Sequence, residues 1–173
     1  MTGIVVADSG PLIALARADH LHLLQYLYKE ILIPPAVYAE LCLESGRPGS
    51  KRLAGAIVEG WLVMRQPSSI MTEQMSELTL ILDPVEAEAI ALAEGVSCRF
   101  LLIDERKGRA VAKRRGVPVA GLAGFLLAAK KNGIIDEVLP IVKCLGESGY
   151  RMSQSLITEI ARLTGESVVS KRG

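Results

Sequence analysis

The stretch Ile4-Val5-Val6-Ala7-Asp8-Ser9-Gly10-Pro11 constrains this chain more than any other. A short run of apolar, mostly β-branched residues with no polar alternation predicts a strand buried on both faces, as in the interior of a parallel sheet. The run halts at a carboxylate followed by Ser-Gly-Pro, residues that turn the chain into a helix. Asp8 therefore belongs at the carboxyl end of a central strand, the edge at which open α/β sheets bind ligands.

The same grammar recurs along the chain. Phe100-Leu101-Leu102-Ile103 is a second fully apolar strand, and it too ends on an acid, Asp104. Residues 30–33, 61–64 and 117–119 read as further short strands. Between them lie helical stretches over 12–17, 36–44, 51–58, 84–94, 105–115 and 121–131, with Asp19 placed to cap another that runs through Leu27. The entry Asp83-Pro84-Val85-Glu86 combines an N-cap acid, Pro at the first helical position and Glu at the third. Residues 67–80 read as loop plus a frayed helix, and the closing helices fall near 136–145 and, behind Ser153, to about 163. Strands alternating with helices predict an α/β sandwich, a parallel sheet with helices on both faces. One domain over 1–165 is expected, followed by a polar, flexible tail over 166–173.

Charge narrows the function. The chain has 20 Lys and Arg against 19 Asp and Glu, a formal net charge of +1. That excludes a strongly basic coat, so contact with a polyanion would need a local patch or a metal. Cys42, Cys98 and Cys144 are widely spaced among apolar neighbours and read as reduced core thiols. The N-terminus carries no signal-like segment and no run reaches a membrane span, so a cytoplasmic protein is expected. The two histidines, His20 and His22, lie far from the acids in sequence.

The acids carry the functional argument. If the strands ending at Asp8 and Asp104 are parallel neighbours, both side chains project into one crevice, and the helices bearing Glu40 and Glu86 reach the same rim. Such a cluster cannot remain fully ionised unaided, because like charges a few Å apart raise one another's pKa. A divalent metal resolves the conflict. A set made of hard oxygen donors favours Mg²⁺ or Mn²⁺ over zinc, and either ion can polarise a phosphoryl group and acidify an attacking water. Each acid also admits a plainer role. Asp104 and Asp8 could cap the helices that follow them, and Glu86 could fold back in a capping box. Glu40, among Val37, Ala39, Leu41 and Cys42, fits a solvated face poorly, whereas Glu44, Asp83 and Glu88 read as surface or capping acids. On the helix after Asp104, the spacing of Arg106, Arg109 and Lys113 puts them on one face, either a solvated stripe or a guide for a phosphate backbone.

In this order and spacing, four stretches resemble the PIN-domain family of metal-dependent nucleases, specifically a prokaryotic branch related to toxin nucleases. They are Val5-Val6-Ala7-Asp8-Ser9-Gly10-Pro11-Leu12, Ile33-Pro34-Pro35-Ala36-Val37-Tyr38-Ala39-Glu40, Pro84-Val85-Glu86-Ala87-Glu88-Ala89 and Leu101-Leu102-Ile103-Asp104-Glu105-Arg106. The similarity runs on to Gly149-Tyr150-Arg151. It implies a Rossmann-like, three-layer α/β/α fold and a Mg²⁺ or Mn²⁺ site formed by Asp8, Glu86 and Asp104, with Glu40 as the fourth catalytic acid and Ser9 as a small hydroxyl residue beside the first. Where the family more often has Asp, this chain has Glu86. The implied activity is endonucleolytic cleavage of single-stranded RNA, as the toxin of a toxin–antitoxin pair. A cognate antitoxin and a homodimer are the implied partners. The competing expectations are a PIN-like module that binds RNA or protein without cutting, with the acids serving as caps, and a phosphotransfer receiver. The receiver needs a Lys after a late strand, where this chain has Ala120 and Gly121.

Overall fold

The computed structural model describes residues 3–168, apart from the side chain of Ile70. Its centre is a five-stranded, all-parallel sheet of very short strands: β1 (Val5–Ala7), β2 (Ile31–Ile33), β3 (Leu62–Met64), β4 (Phe100–Leu102) and β5 (Val119–Ala120), in the order β3-β2-β1-β4-β5. Helices cover both sides of the sheet. Every residue of β1 and β2 is buried, which is why these strands are apolar without alternation.

The topology fixes where a site can form. From β1 the chain steps outward to β2 and β3, then crosses back to lay β4 on the other flank of β1, with Ala7 beside Leu102. Loops leaving the carboxyl ends of β1 and β4 therefore diverge, and the gap between them is the switch point at which such sheets bind ligands. Asp8 and Asp104 stand at that gap.

The helices are α1 (Ser9–Arg17), α2 (His22–Leu27), α3 (Pro35–Glu40), α4 (Ser50–Glu59), α5 (Ser69–Leu78), α6 (Pro84–Gly95), α7 (Arg106–Arg114), α8 (Leu122–Lys131), α9 (Leu139–Glu147) and α10 (Gln154–Thr164). The core gathers Leu12 and Leu15 of α1, Ile90 and Leu92 of α6, and Phe125 of α8 around the strands. Among the described residues no helix is long and apolar enough to cross a membrane.

The structure departs from the sequence reading in four places. Asp19 does not cap α2. It takes a left-handed φ of 60° and pairs with Arg52 at 2.7 Å, while α2 begins behind Leu21 with no side-chain cap. Helix α3 stops at Glu40 instead of Glu44, because Cys42 turns left-handed at φ 49°. The stretch read as loop plus a frayed helix forms the ten-residue α5. Glu166, assigned to a flexible tail, is anchored. Its carboxylate accepts from the backbone N–H groups of Val138 and Leu139, at 2.8 Å each, and from Lys130 Nζ at 2.9 Å. It thereby caps α9 from a distant point in the chain. Burial of Glu166 would raise its pKa, but those donors outweigh it and hold the carboxyl below its usual range. Residues 169–173 of the expected tail lie outside the described residues.

Candidate active site

Backbone pairing delivers the first two acids. The Asp8 N–H donates to the Leu102 carbonyl at 2.9 Å, so the β1–β4 ladder runs one residue past the strand and holds the start of the Asp8 turn against β4. The Asp8 carboxylate accepts from the Ser9 N–H at 2.9 Å and caps α1, yet it remains in the crevice, 7% exposed. Capping and facing the crevice are therefore compatible in one side chain.

Asp104 behaves differently from the capping expectation. Glu105 caps α7, accepting from the Gly108 N–H at 2.7 Å. Asp104 instead reaches sideways, its Oδ1 accepting from the N–H of Leu122, the first residue of α8, at 3.0 Å. Its Oδ2 is buried without a well-formed hydrogen bond, although the Tyr150 hydroxyl faces the same carboxylate and interacts with it. An under-satisfied buried carboxylate oxygen costs on the order of 1–3 kcal/mol, a cost that a bound cation would offset. Gly121 makes the arrangement possible. A Cβ there would lie 2.7 Å from both Asp104 Oδ1 and Arg109 Nη1, so any side chain would push the acid out of place.

The other two predicted acids arrive on helices. Asp83 caps α6 by accepting from the Val85 N–H at 2.8 Å, and Glu86 lies one turn along, against Glu105. Glu40 is the exposed last residue of α3, solvated contrary to the sequence expectation, but at the rim of the same cleft. One open cleft of about 260 Å³ is lined by Asp8, Ser9, Glu40, Asp83, Glu86, Asp104 and Glu105, so the four acids singled out in the sequence share it. Asp83 and Glu105 were missed as cleft residues. Their only sequence signal was adjacency to Glu86 and Asp104. Glu88, read as a surface acid, reaches across to α3 and accepts from the Ala36 N–H at 3.2 Å, tying the two acid-bearing helices together.

Crowding shows in the protonation equilibria. Burial pushes the Asp8 carboxyl up to about 6, against the Ser9 N–H, with Glu40, Asp83 and Asp104 adding to the rise. Glu86 is pushed up to about 7, first by burial and then by Glu105, Asp8 and Asp83. Tyr150, from the loop before α10, faces Asp104. Burial, then the Asp104 charge and a hydrogen bond to the Asp104 carboxylate, raise its phenol far above the usual range, so it stays a neutral donor to Asp104 at any working pH. Nothing in the sequence around Tyr150 announced this position.

The basic stripe on α7 does not survive intact. Arg106 and Lys113 are exposed and stand outside the cleft lining. Arg109 turns inward, its Nη1 donating to the Ile103 carbonyl at 3.0 Å beside Asp104. Shared helical spacing put the three on one face, but the carbonyl exposed where β4 ends captures the middle one. Arg109 thus braces the loop that carries Asp104.

A divalent ion fits the donors, with a qualification of geometry. Among the described residues no three Asp, Glu, His or Cys side chains form a ready-made cage. Mg²⁺ does not need one, since it usually keeps several waters and takes one or two carboxylates plus substrate oxygens. The under-satisfied Oδ2 of Asp104 and two carboxyls pushed upward first by burial and then by neighbouring acids are what a cation would relieve, and the donors are all oxygen.

Comparison with known proteins agrees with this geometry. No curated protein matches the chain in sequence. A family model described as a PIN domain, DUF3368, matches residues 4–166, which takes in all five strands, the whole acidic cleft and the anchoring Glu166. PIN domains are generally nucleases and typically use divalent metals. With its parallel sheet, its switch-point acids and this match over nearly its whole length, the chain belongs to the PIN-domain family.

Proposed function

We propose that the protein is a Mg²⁺- or Mn²⁺-dependent endoribonuclease that hydrolyses phosphodiester bonds of single-stranded RNA. The observation that carries this reading is the gathering of Asp8, Glu40, Glu86 and Asp104 in one cleft, with Asp104 Oδ2 buried and without a well-formed hydrogen bond.

In this reading Asp8 and Asp104 hold the ion and Glu86 completes the set. The ion supplies Lewis-acid stabilisation of charge on the phosphoryl oxygens and lowers the pKa of water nearby. The residues of the chain do the rest. The Leu122 N–H and the Gly121 gap fix the Asp104 carboxylate, Arg109 braces its loop, and Tyr150 stays neutral beside it. Glu86, near 7 in the metal-free protein, gives up its proton as the ion binds. Glu40, at the solvent rim, is placed to orient incoming water. Ser9 lines the floor of the cleft. A cytoplasmic role as the toxin of a toxin–antitoxin pair, with a cognate antitoxin and a homodimeric state, extends the reading through family resemblance.

The test is cleavage of a labelled single-stranded RNA with Mn²⁺, alongside thermal unfolding with and without the ion. Wild-type protein is expected to cut and to gain stability, by about 2.7 kcal/mol at a hundredfold excess over Kd. Asp104→Asn should lose at least a hundredfold in rate and most of the metal response. Equal cutting by the variant would trace the activity to a contaminant. Neither cutting nor stabilisation in the wild type would leave a non-catalytic binding module.

A further inference from the structure

A second cavity, of about 250 Å³, adjoins the acidic cleft and shares Glu40 with it. Its walls are Ile13 and Arg17 of α1, Leu41 and Arg47 beyond α3, and Leu53 of α4. Its lining differs from that of its neighbour. The acidic cleft is lined by six carboxylate residues, whereas this one combines Ile13, Leu41 and Leu53 with the exposed Arg17 and Arg47 and, of the acids, only the shared Glu40. Among the described residues, neither Arg17 nor Arg47 is paired with a carboxylate. Arg47 Nη1 has only a long contact to Cys42 Sγ, at 3.9 Å.

The wall between the two arginines is rigid. Gly49 sits at φ 87°, and a Cβ there would lie 2.8 Å from backbone atoms of both Ala16 and Arg17. The loop after α3 is thus pressed directly onto the last turn of α1, which brings Arg17 and Arg47 to the lining of one cavity. Arg17 also suits the carboxyl end of its helix, where a cation is favourable. That local role gives no account of Arg47, or of apolar walls beneath both.

We propose that this cavity is a nucleotide subsite for the single-stranded RNA substrate, taking the base and phosphate next to the bond positioned over the acids. The inference rests on the nuclease reading above and adds to it the path of the strand. An apolar slot under guanidinium planes accepts an unstacked base, and the same groups pair with a backbone phosphate, which the acidic cleft would repel without its cation. The chain is poor in aromatics, with 4 Tyr, 2 Phe and 1 Trp, and none of these lines the cavity. Arginine planes and aliphatic walls therefore carry the stacking. Glu40 marks the boundary between base recognition and chemistry.

The test measures binding in a background that cannot cut. Full-length Asp104→Asn protein is titrated against a fluorescein-labelled single-stranded RNA across a salt series, without and with Arg17→Ala/Arg47→Ala. A charge-matched control carries Lys131→Ala/Lys143→Ala on exposed helix surfaces. The arginine pair should cost at least tenfold in affinity and lower the slope of log K against log salt by about 1.4, at about 0.7 per lost phosphate contact. Arg17→Lys/Arg47→Lys should keep the slope but lose affinity, because lysine supplies charge without a stacking plane. Equal losses in the arginine and lysine pairs, or no loss in either, overturn the subsite. If wild-type protein cuts RNA while the arginine pair binds normally, the subsite fails and the nuclease reading stands. If the arginine dependence holds but wild-type protein with Mn²⁺ does not cut, the subsite stands and the nuclease reading fails.

Discussion

Asp8→Asn is expected to stabilise the metal-free protein at alkaline pH while removing its metal response. The Asp8 carboxyl is displaced from an ordinary 3.8 to about 6 by burial and by its acidic neighbours. A folded-state pKa above the unfolded one means that the native state binds the proton more tightly. The associated stability is therefore complete below about pH 4 and is lost as pH rises through about 6. At about 1.4 kcal/mol per tenfold, the interval sets a ceiling of about 3 kcal/mol on what ionised Asp8 costs the native state at pH 8. Asn carries no charge and caps helices as well as Asp, so the hydrogen bond from the Ser9 N–H has a replacement acceptor. Urea unfolding in EDTA should show Asp8→Asn more stable than wild type by about 1–3 kcal/mol at pH 8, equivalent to about 2–9 °C in Tm for a chain of this length. The gap should shrink as pH falls through about 6 and close only below about pH 4. With saturating Mn²⁺ the order should reverse, because only the wild type binds the ion through this position. A variant no more stable than wild type at pH 8, or a gap that does not shrink on acidification, would refute the claim that Asp8 is held ionised against the fold's preference.

Two further outcomes test the supports of the site. Gly121→Ala should abolish cleavage while the protein stays folded, since a Cβ 2.7 Å from Asp104 Oδ1 must displace the acid; RNA cleavage read against circular dichroism checks this. Glu166→Ala should lower stability by about 1–3 kcal/mol, because it leaves the Val138 and Leu139 N–H groups and Lys130 without their shared acceptor. That loss is read from the urea midpoint.

Local signals were the ones the sequence carried well. The ends of β1 and β4 are marked by apolar runs that stop at an acid, so Asp8 and Asp104 could be placed, and their meeting follows once the sheet is parallel. Asp83 as the cap of α6 was equally readable, because the capping hydrogen bond spans two residues. What sequence could not show depends on groups brought together by packing. Glu166 looks like part of a polar tail, since its acceptors' partners lie 28 and 36 positions earlier. Arg109 looks like a surface cation until a carbonyl at the end of β4 takes it inward. Asp104 passes for a cap of α7 because the competing cap, Glu105, is its neighbour. Tyr150 has no local context that ties it to an acid 46 residues away.

The contact between Asp104 Oδ1 and the Leu122 N–H has a consequence for biogenesis. The sheet's inner strands are complete once residue 102 has been made, yet the acid that follows is not fixed until α8 has formed, and its neighbour Tyr150 comes later still. A nascent polypeptide still threaded through the ribosome's exit tunnel would carry a sheet without a finished centre. If the protein cuts RNA as proposed, late assembly would keep the growing chain harmless to the machine translating it.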